Sequence, residues 1–263
     1  MSDHGFTVES LGQRIDITVT GDGAADLTAQ AERAWERCLV TDEPALQSAH
    51  RLRVMVRAGT MASRSITAVS APSHDAAMEM LSQAVTLVGV TASAGELLML
   101  HAAGLADPAT GRTAVLVGPS GMGKSTATRA LCRDWGYVSD ETVALTGAGA
   151  IVAYPKPLSL IEQGRWKRQV SPSSLGLAMA PQHLRPAGLV LLDRRPDGRG
   201  SIRKVGLTEA VARLAEQTSF LSHLERPLQS IAALVREAGC VEVSYAETDQ
   251  LGRALAAVMD EQS

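Results

Sequence analysis

The stretch Ala114–Leu131, AVLVGPSGMGKSTATRAL, joins an apolar run, a glycine-rich turn and an amphipathic segment in that order. The run AVLV is typical of a buried strand, and Ala127, Ala130 and Leu131 fall on one face of a helix after the turn. A strand that leads through a tight turn into a helix is the building unit of α/β proteins. The sequence therefore predicts an α/β fold around this unit.

The turn, GPSGMGKS, matches the pattern G-x-x-x-x-G-K-[ST]. Gly121 and Gly123 let the backbone curl so that its amides point inward at phosphate oxygens, and the helix that follows offers its amino-terminal amides to the same anion. Lys124 reaches the β- and γ-phosphates, and the Ser125 hydroxyl is suited to hold Mg²⁺. The nucleotide-binding residues predicted here are Gly118, Pro119, Ser120, Gly121, Met122, Gly123, Lys124, Ser125 and Thr126.

Two adjacent carboxylates, Asp140 and Glu141, interrupt the apolar segment Tyr137–Leu145, YVSDETVAL. Asp140 lies sixteen residues past Lys124. We expect this strand to return beside the strand that precedes the turn and to bring the carboxylates near the γ-phosphate and its metal. Neighbouring residues of a regular strand face opposite ways. Both carboxylates therefore reach the site only if the strand is interrupted there; otherwise one of them is a structural hydrogen-bond acceptor.

Signatures of other nucleotide-binding classes are missing from the sequence. It contains no N-K-x-D, which reads guanine, and no L-S-G-G-Q, which transporter ATPases carry. Asp193 ends the apolar segment GLVLLD and could hold metal, but Arg194 follows where ATPases commonly carry a glutamate. A core strand that ends in a turn-starting aspartate explains Asp193 equally well.

The segments LHAAG, GPSGMGKS and YVSDETVAL together resemble the carboxyl-terminal kinase domain of the HPr kinase/phosphorylase superfamily, whose core is shared with phosphoenolpyruvate carboxykinases. The residues that correspond by position are His101, the turn from Gly118 to Ser125, Asp140 and Glu141. The resemblance covers residues 101–145 and extends loosely to about residue 240. It implies a P-loop kinase core that uses ATP and Mg²⁺, with His101, Lys124, Asp140 and Glu141 as catalytic residues and Ser125, Asp140 and Glu141 as metal ligands.

The chain departs from that family in two places. Glu141 stands where the family has a second aspartate, which leaves open which carboxylate takes the proton and which binds metal. The glycine-rich stretch associated with phosphorylase activity has no match in residues 161–179, which favours a kinase without that activity. In that segment Arg165, Lys167 and Arg168 cluster with Glu162, as either a basic loop that closes over phosphates or a solvated turn.

Residues 1–95 have the pattern of a small α+β unit ahead of a kinase domain at residues 96–263. RIDITVT and RLRVMVR alternate apolar and polar residues as half-buried strands do, with SITAVS a weaker strand. Helices are expected from Leu27 to Leu39 and from His74 to Val88, whereas ELLMLHAAGL is expected to form one continuous strand buried on both faces.

Composition excludes several classes of protein. The net charge of −3 does not favour a nucleic-acid partner. Three widely spaced cysteines suggest neither a disulfide framework nor a zinc site. The beginning of the chain lacks the apolar core of a signal peptide, and no apolar run is long enough to span a bilayer. We therefore expect a cytoplasmic protein without a membrane partner; a homo-oligomer is compatible with the sequence.

The leading hypothesis is an ATP-dependent kinase that transfers the γ-phosphoryl group to a hydroxyl, with serine the expected acceptor. By resemblance the acceptor is a small protein, a peptide or a small molecule, and a role in modifying a ribosomally made peptide is one implication. His101 would orient the acceptor or sense phosphate charge, or it is a core histidine. The alternatives are a nucleotide-dependent regulatory protein and an ATPase without a phosphoacceptor.

Overall fold

The computed structural model describes residues 4–41, 50–162 and 164–260, and these residues form a mixed α/β protein with six α-helices. The strands are β1 (His4–Ser10), β2 (Gln13–Gly21), β3 (His50–Val56), β4 (Ser63–Arg64), β5 (Ala68–Ala71), β6 (Leu98–Leu100), β7 (Ala102–Ala106), β8 (Arg112–Val117), β9 (Gly136–Ser139), β10 (Val143–Leu145), β11 (Ile151–Val152), β12 (Leu158–Leu160), β13 (Arg168–Val170), β14 (Ala178–Met179), β15 (Arg185–Arg194), β16 (Arg199–Lys204), β17 (Thr218–Ser219) and β18 (Cys240–Tyr245). The helices are α1 (Ala24–Ala34), α2 (His74–Ala92), α3 (Lys124–Leu131), α4 (Leu207–Ala215), α5 (Pro227–Ala238) and α6 (Thr248–Asp260).

The chain divides into two compact units. The first comprises Met1–Ser93 and Tyr154–Leu175, and the second comprises Ala94–Ala153 and Gly176–Ser263. The boundary expected at residue 95 falls close to the first division, but the segment from Tyr154 to Leu175 was expected in the kinase domain and instead packs with the first unit. Sequence periodicity does not reveal which neighbour a short hairpin packs against.

The first unit contains a five-stranded sheet in the order β1-β2-β3-β5-β4. β2, β3 and β5 are parallel, and β1 and β4 are antiparallel to their neighbours at the two edges. Ile15, Ile17 and Val19 are buried, as their alternation predicted. α1 is shorter than predicted and ends at Ala34, because the chain turns there and the Cys38 amide bonds back to a nearby carbonyl.

The β12–β13 hairpin joins the first unit through specific contacts. The Tyr154 hydroxyl and the Thr86 hydroxyl on α2 are hydrogen-bonded at 3.0 Å. The Lys167 amide donates to Glu79 Oε2 on the same helix at 2.7 Å. Tyr154, which precedes the hairpin, is fully buried, so the segment from Tyr154 to Leu175 supplies part of the core of this unit.

The second unit contains a seven-stranded sheet in the order β14-β9-β7-β8-β15-β18-β16. β8, β15 and β18 run parallel to one another, whereas β7 lies antiparallel between β8 and β9. Its core includes Val115, Val117, Leu189 and Leu191, which cluster with apolar residues of α4 and α5. α3 and α6 contact each other.

The predicted single strand through ELLMLHAAGL is wrong, because the chain breaks at His101. β6 belongs to a four-stranded sheet in the order β11-β10-β6-β17, whereas β7 belongs to the seven-stranded sheet. The chain from Gly136 to Leu145 makes the same change of sheet, with β9 in one sheet and β10 in the other. An apolar run cannot distinguish one strand from two strands that turn a corner, since both are buried throughout.

α3 ends at Leu131 and α4 ends at Ala215. None of the helices in the described ranges is long and apolar enough to cross a membrane.

Candidate phosphate-binding site

Three chain segments meet at one edge of the seven-stranded sheet. Ala102 at the start of β7 pairs with Val117 at the end of β8, and Gly104 pairs with Ser139 at the end of β9. The glycine-rich turn, His101 and the acidic pair therefore leave the sheet at the same edge. The expectation that the strand with the acidic pair lies beside β8 is wrong, because β7 separates the two strands.

The glycine-rich turn has the backbone conformation that its sequence requires. Gly121 and Gly123 both have φ of +88°, in the left-handed region that favours glycine. α3 begins directly afterwards at Lys124, and no side chain caps its first amides. Those amides and the positive end of the helix dipole are available to an anion. Gly118 is buried, whereas Pro119, Ser120 and Thr126 are exposed.

Lys124 is folded over the turn. It is only 7% exposed, and its Nζ donates to the carbonyl oxygens of Gly118 (2.5 Å) and Pro119 (3.2 Å). Burial lowers the pKa of the ammonium, while the charges of Asp140 and Glu141 act in the opposite direction. The lysine therefore faces both the turn that it follows and the acidic pair carried by the neighbouring segment.

The acidic pair lies where the strand is interrupted, as the sequence required for both carboxylates to reach one site. β9 ends at Ser139, and its hydroxyl accepts hydrogen bonds from the amides of Glu141 (3.3 Å) and Thr142 (3.2 Å). Asp140 is 6% exposed and accepts a hydrogen bond from the Tyr137 hydroxyl at 3.2 Å. Glu141 is half-buried. The Asp140 carboxylate is thus buried and fixed by a hydrogen bond, whereas the Glu141 carboxylate is more accessible to solvent.

His101 lies at the corner between β6 and β7, half-buried. Its amide donates to the Gln217 carbonyl at 2.7 Å, and the next amide, of Ala102, donates to the Glu141 carbonyl at 3.1 Å. Burial and the charge of Lys124 lower the pKa of the imidazole, against the opposing effect of the acidic pair. The ring is therefore neutral at neutral pH. It lies close enough to Lys124 and to the acidic pair for their charges to act on its pKa.

Tyr245 and Arg194 adjoin the turn and were missed by the sequence patterns. The buried Tyr245 hydroxyl, at the end of β18, donates to the Met122 carbonyl at 2.6 Å. A Cβ at Gly123 would lie 3.3 Å from that hydroxyl and 3.8 Å from Cδ and Nη1 of Arg194. No sequence motif marks either residue; in the folded sheet β15 and β18 run parallel to β8, so their carboxyl ends reach the same edge as the turn.

Asp193 is engaged in an ion pair that the sequence did not predict. Its Oδ2 lies 2.7 Å from Nε of Arg195; Asp193 is the next-to-last residue of β15, and Arg195 directly follows the strand. The aspartate is not among the groups whose charge acts on Lys124. The geometry therefore favours the turn role for Asp193 over a metal role.

The basic segment 161–168 belongs to the first unit. Arg168 pairs with Glu162 at 2.8 Å, and the Arg165 guanidinium lies 5.2 Å from the centre of the Trp166 ring. These contacts engage two of its cationic side chains locally. They agree with the interpretation of the segment as a solvated turn.

The donor set of the site suits magnesium. Among the described residues, no three His, Cys, Asp or Glu side chains come together as a full metal cage. Mg²⁺ prefers oxygen and is commonly held by one or two protein oxygens together with phosphates and water. The Ser125 hydroxyl and the acidic pair provide oxygens of this kind.

No protein-family model matches the chain, and no curated protein has a matching sequence. Assignment of a function therefore depends on the residues of this site and their geometry.

Proposed function

We propose that this protein is an ATP-dependent kinase with a P-loop core of the HPr-kinase type, which transfers the γ-phosphoryl group of ATP to a hydroxyl, with serine the expected acceptor. The observation that carries the proposal is the gathering of His101, Lys124 and the acidic pair at the glycine-rich turn, where the charges of these groups act on one another. Phosphoryl transfer needs this combination of anion binding, charge neutralisation and a proton acceptor.

The turn and α3 supply the anion-binding part. Backbone amides from Gly121 to Ser125 would hold the β- and γ-phosphates, aided by the dipole of α3. Lys124 Nζ, now bonded to two carbonyls of its own turn, has only to exchange those partners for phosphate oxygens. Because the ammonium is already buried, binding phosphate costs it little further desolvation.

The acidic pair supplies the proton acceptor. The acceptor hydroxyl oxygen forms a bond to the γ-phosphorus as the bond from that phosphorus to the β,γ-bridging oxygen breaks, and ADP leaves. The hydroxyl proton passes to Asp140 or to Glu141. Tyr137 orients Asp140, which makes Asp140 the better candidate for this step, since a general base must be held within hydrogen-bond reach of its proton.

Ser125 and one carboxylate of the acidic pair would hold Mg²⁺, which when bound offsets negative charge on the phosphate oxygens. His101 is neutral at neutral pH and can donate or accept a hydrogen bond without adding charge, which suits it to orient the acceptor. The lack of a glycine-rich phosphorylase stretch in residues 161–179 supports a kinase without phosphorylase activity.

The acceptor class implied by the family resemblance is a serine of a small protein, a serine of a peptide (including a ribosomally made one) or free serine. The purified protein, Mg²⁺ and γ-labelled ATP incubated with extract of the host cell would transfer label to an acceptor, which mass spectrometry identifies. The control is the Lys124→Met variant, which should label nothing.

The same experiment separates the alternatives. Label that ends in free phosphate at a rate independent of extract indicates an ATPase. Bound ATP with neither product indicates a nucleotide-dependent regulatory protein. Either result would overturn the kinase assignment.

A further inference from the structure

Arg194 is a cation beside the glycine-rich turn that no sequence motif assigns. It is the last residue of β15, which pairs in parallel with the strand that leads into the turn. Its Cδ and Nη1 both lie 3.8 Å from the position that a Cβ would occupy at Gly123. In a regular strand it faces the opposite way from Asp193, which pairs with Arg195.

The charge of Arg194 is not neutralised by a carboxylate in the part of the chain that the structure describes. Its Nε donates to the Ala246 carbonyl at 3.4 Å, and the side chain forms no ion pair there. This bond ties down Nε and leaves Nη1 and Nη2 to donate elsewhere. Planar guanidinium groups donate well to two phosphate oxygens at once.

Tyr245 is hydrogen-bonded to the turn and lies near this arginine. Its hydroxyl bonds to the Met122 carbonyl, and the positive charge of Arg194 lowers the pKa of that hydroxyl against the larger raising effect of burial. A Cβ at Gly123 would lie within 4 Å of atoms of both side chains. The lack of a side chain at Gly123 therefore lets the guanidinium approach the amides that bind phosphate.

We propose that Arg194 is a direct phosphate ligand of the nucleotide held on this turn, placed by β15 on the side of Gly123 and supplementing Lys124. The assignment rests on the proposed nucleotide-binding function. Arg194 would be a second cation at the turn, with two directed donors. It stands at the position where an ATPase would carry a catalytic glutamate. The turn thereby receives positive charge from Lys124 of α3 and from Arg194 of β15.

The test measures binding of Mg²⁺–ADP, of a non-hydrolysable ATP analogue with Mg²⁺, and of adenosine by titration calorimetry. Replacing Arg194 by Gln should raise the Kd of both nucleotides about tenfold or more, since a charge-assisted pair with phosphate is lost. Adenosine, which has no phosphate, should bind the variant as it binds the wild type. Arg194→Lys keeps the positive charge but not the two parallel donors of the guanidinium. Its Kd for the nucleotides should lie between those of the wild type and of Arg194→Gln.

The matched control is Arg195→Gln, which removes the neighbouring arginine that pairs with Asp193 and should leave the Kd unchanged. Arg194 is exposed, and thermal unfolding followed by circular dichroism checks that both variants keep the wild-type Tm. A Kd for Arg194→Gln within twofold of the wild type overturns this assignment alone. A wild-type protein that binds no nucleotide overturns the proposed function and this assignment together.

Discussion

Asp140 is a buried carboxylate, and the phenol of Tyr137 donates a hydrogen bond to it. A side chain held in this way loses little conformational freedom when an acceptor hydroxyl arrives. Glu141, half-buried and next to it in the chain, is longer by one methylene and less constrained. Under the proposed function, Asp140 would therefore serve as the positioned base and Glu141 as the metal ligand.

Replacing Asp140 by Asn should lower phosphoryl transfer at least about a hundredfold, because the amide keeps the shape of the side chain but cannot accept the proton. The Kd for ATP should change by less than about threefold, since the turn and Lys124 are untouched. Transfer of labelled phosphate and calorimetric binding measure the two quantities. Glu141→Gln should instead raise the Mg²⁺ concentration needed for half-maximal phosphoryl transfer, because a metal ligand is lost. Undiminished transfer by the Asp140→Asn protein would remove this residue from the reaction.

His101 makes folding stability depend on pH. Its pKa is lowered in the folded state, chiefly by burial, and the unfolded value is about 6.5. Above about pH 6.5 the ring is neutral in both states and contributes nothing to the pH dependence. Below that pH the unfolded chain takes up the proton first, so the free energy of unfolding falls as the pH falls to the lowered pKa.

His101→Gln should flatten that decrease below about pH 6.5, as measured by urea unfolding at a series of pH values. The comparison is His183→Gln, which removes an exposed histidine outside the site. An identical decrease in the His101→Gln protein would place the titrating group elsewhere.

Among the structural elements, β9, the strand that leads into the acidic pair, is positioned by a close backbone contact. Gly136 begins β9, and a Cβ there would lie 2.7 Å from Cα of Ala180 and 2.9 Å from the carbonyl oxygen of Met179. These are backbone atoms of the segment that forms β14 and follows it, so they cannot move aside as a flexible side chain would. β9 therefore depends on a glycine at its first residue.

Gly136→Ala should destabilise the protein by about 1–3 kcal/mol through overpacking. Gly147→Ala is the matched control, because a Cβ there meets no atom within 4 Å, and it should change stability by less than about 0.5 kcal/mol. Chemical unfolding of both variants measures the difference. Equal stabilities would mean that the two segments separate without cost.

The elements that could be predicted are those whose pattern of apolar and polar residues fits only one kind of structure. The alternation of Ile15, Ile17 and Val19 and the run before the glycine-rich turn both form the expected strands. The corner at His101 could not be predicted, because β6 and β7 are both fully buried and no polar residue besides the histidine marks the break. The insertion of β7 between β8 and β9 is a matter of strand order, on which periodicity carries no information.

At the scale of the whole molecule, the first unit is discontinuous in sequence. The segment from Tyr154 to Leu175 returns to it from the second unit and contributes buried side chains, Tyr154 and Leu158 among them. It also binds α2 through Thr86 and Glu79. A fragment that ends near residue 95 therefore lacks part of its own core.

Residues 1–95 expressed alone should unfold at a markedly lower temperature, or without a cooperative transition, than the same residues joined by a flexible linker to residues 154–175. Differential scanning calorimetry of the two proteins makes the comparison. A third protein in which Tyr154 of the linked segment is replaced by Ala should lie between them. Matching transitions in the short and the linked protein would show that the hairpin is not part of this core.

The sequence by itself determined the strand, the glycine-rich turn and the helix, because the period of apolar residues and the backbone freedom of glycine act over a few neighbouring positions. It also set the condition that Asp140 and Glu141 both reach one site only if the strand is interrupted there, since neighbouring residues of a regular strand face opposite ways. Only the tertiary structure decided that β7 separates β8 from β9, that His101 turns a corner, and that Arg194 and Tyr245 flank the turn. These outcomes depend on contacts between residues far apart in the chain, which are set by packing of the whole sheet and leave no local pattern.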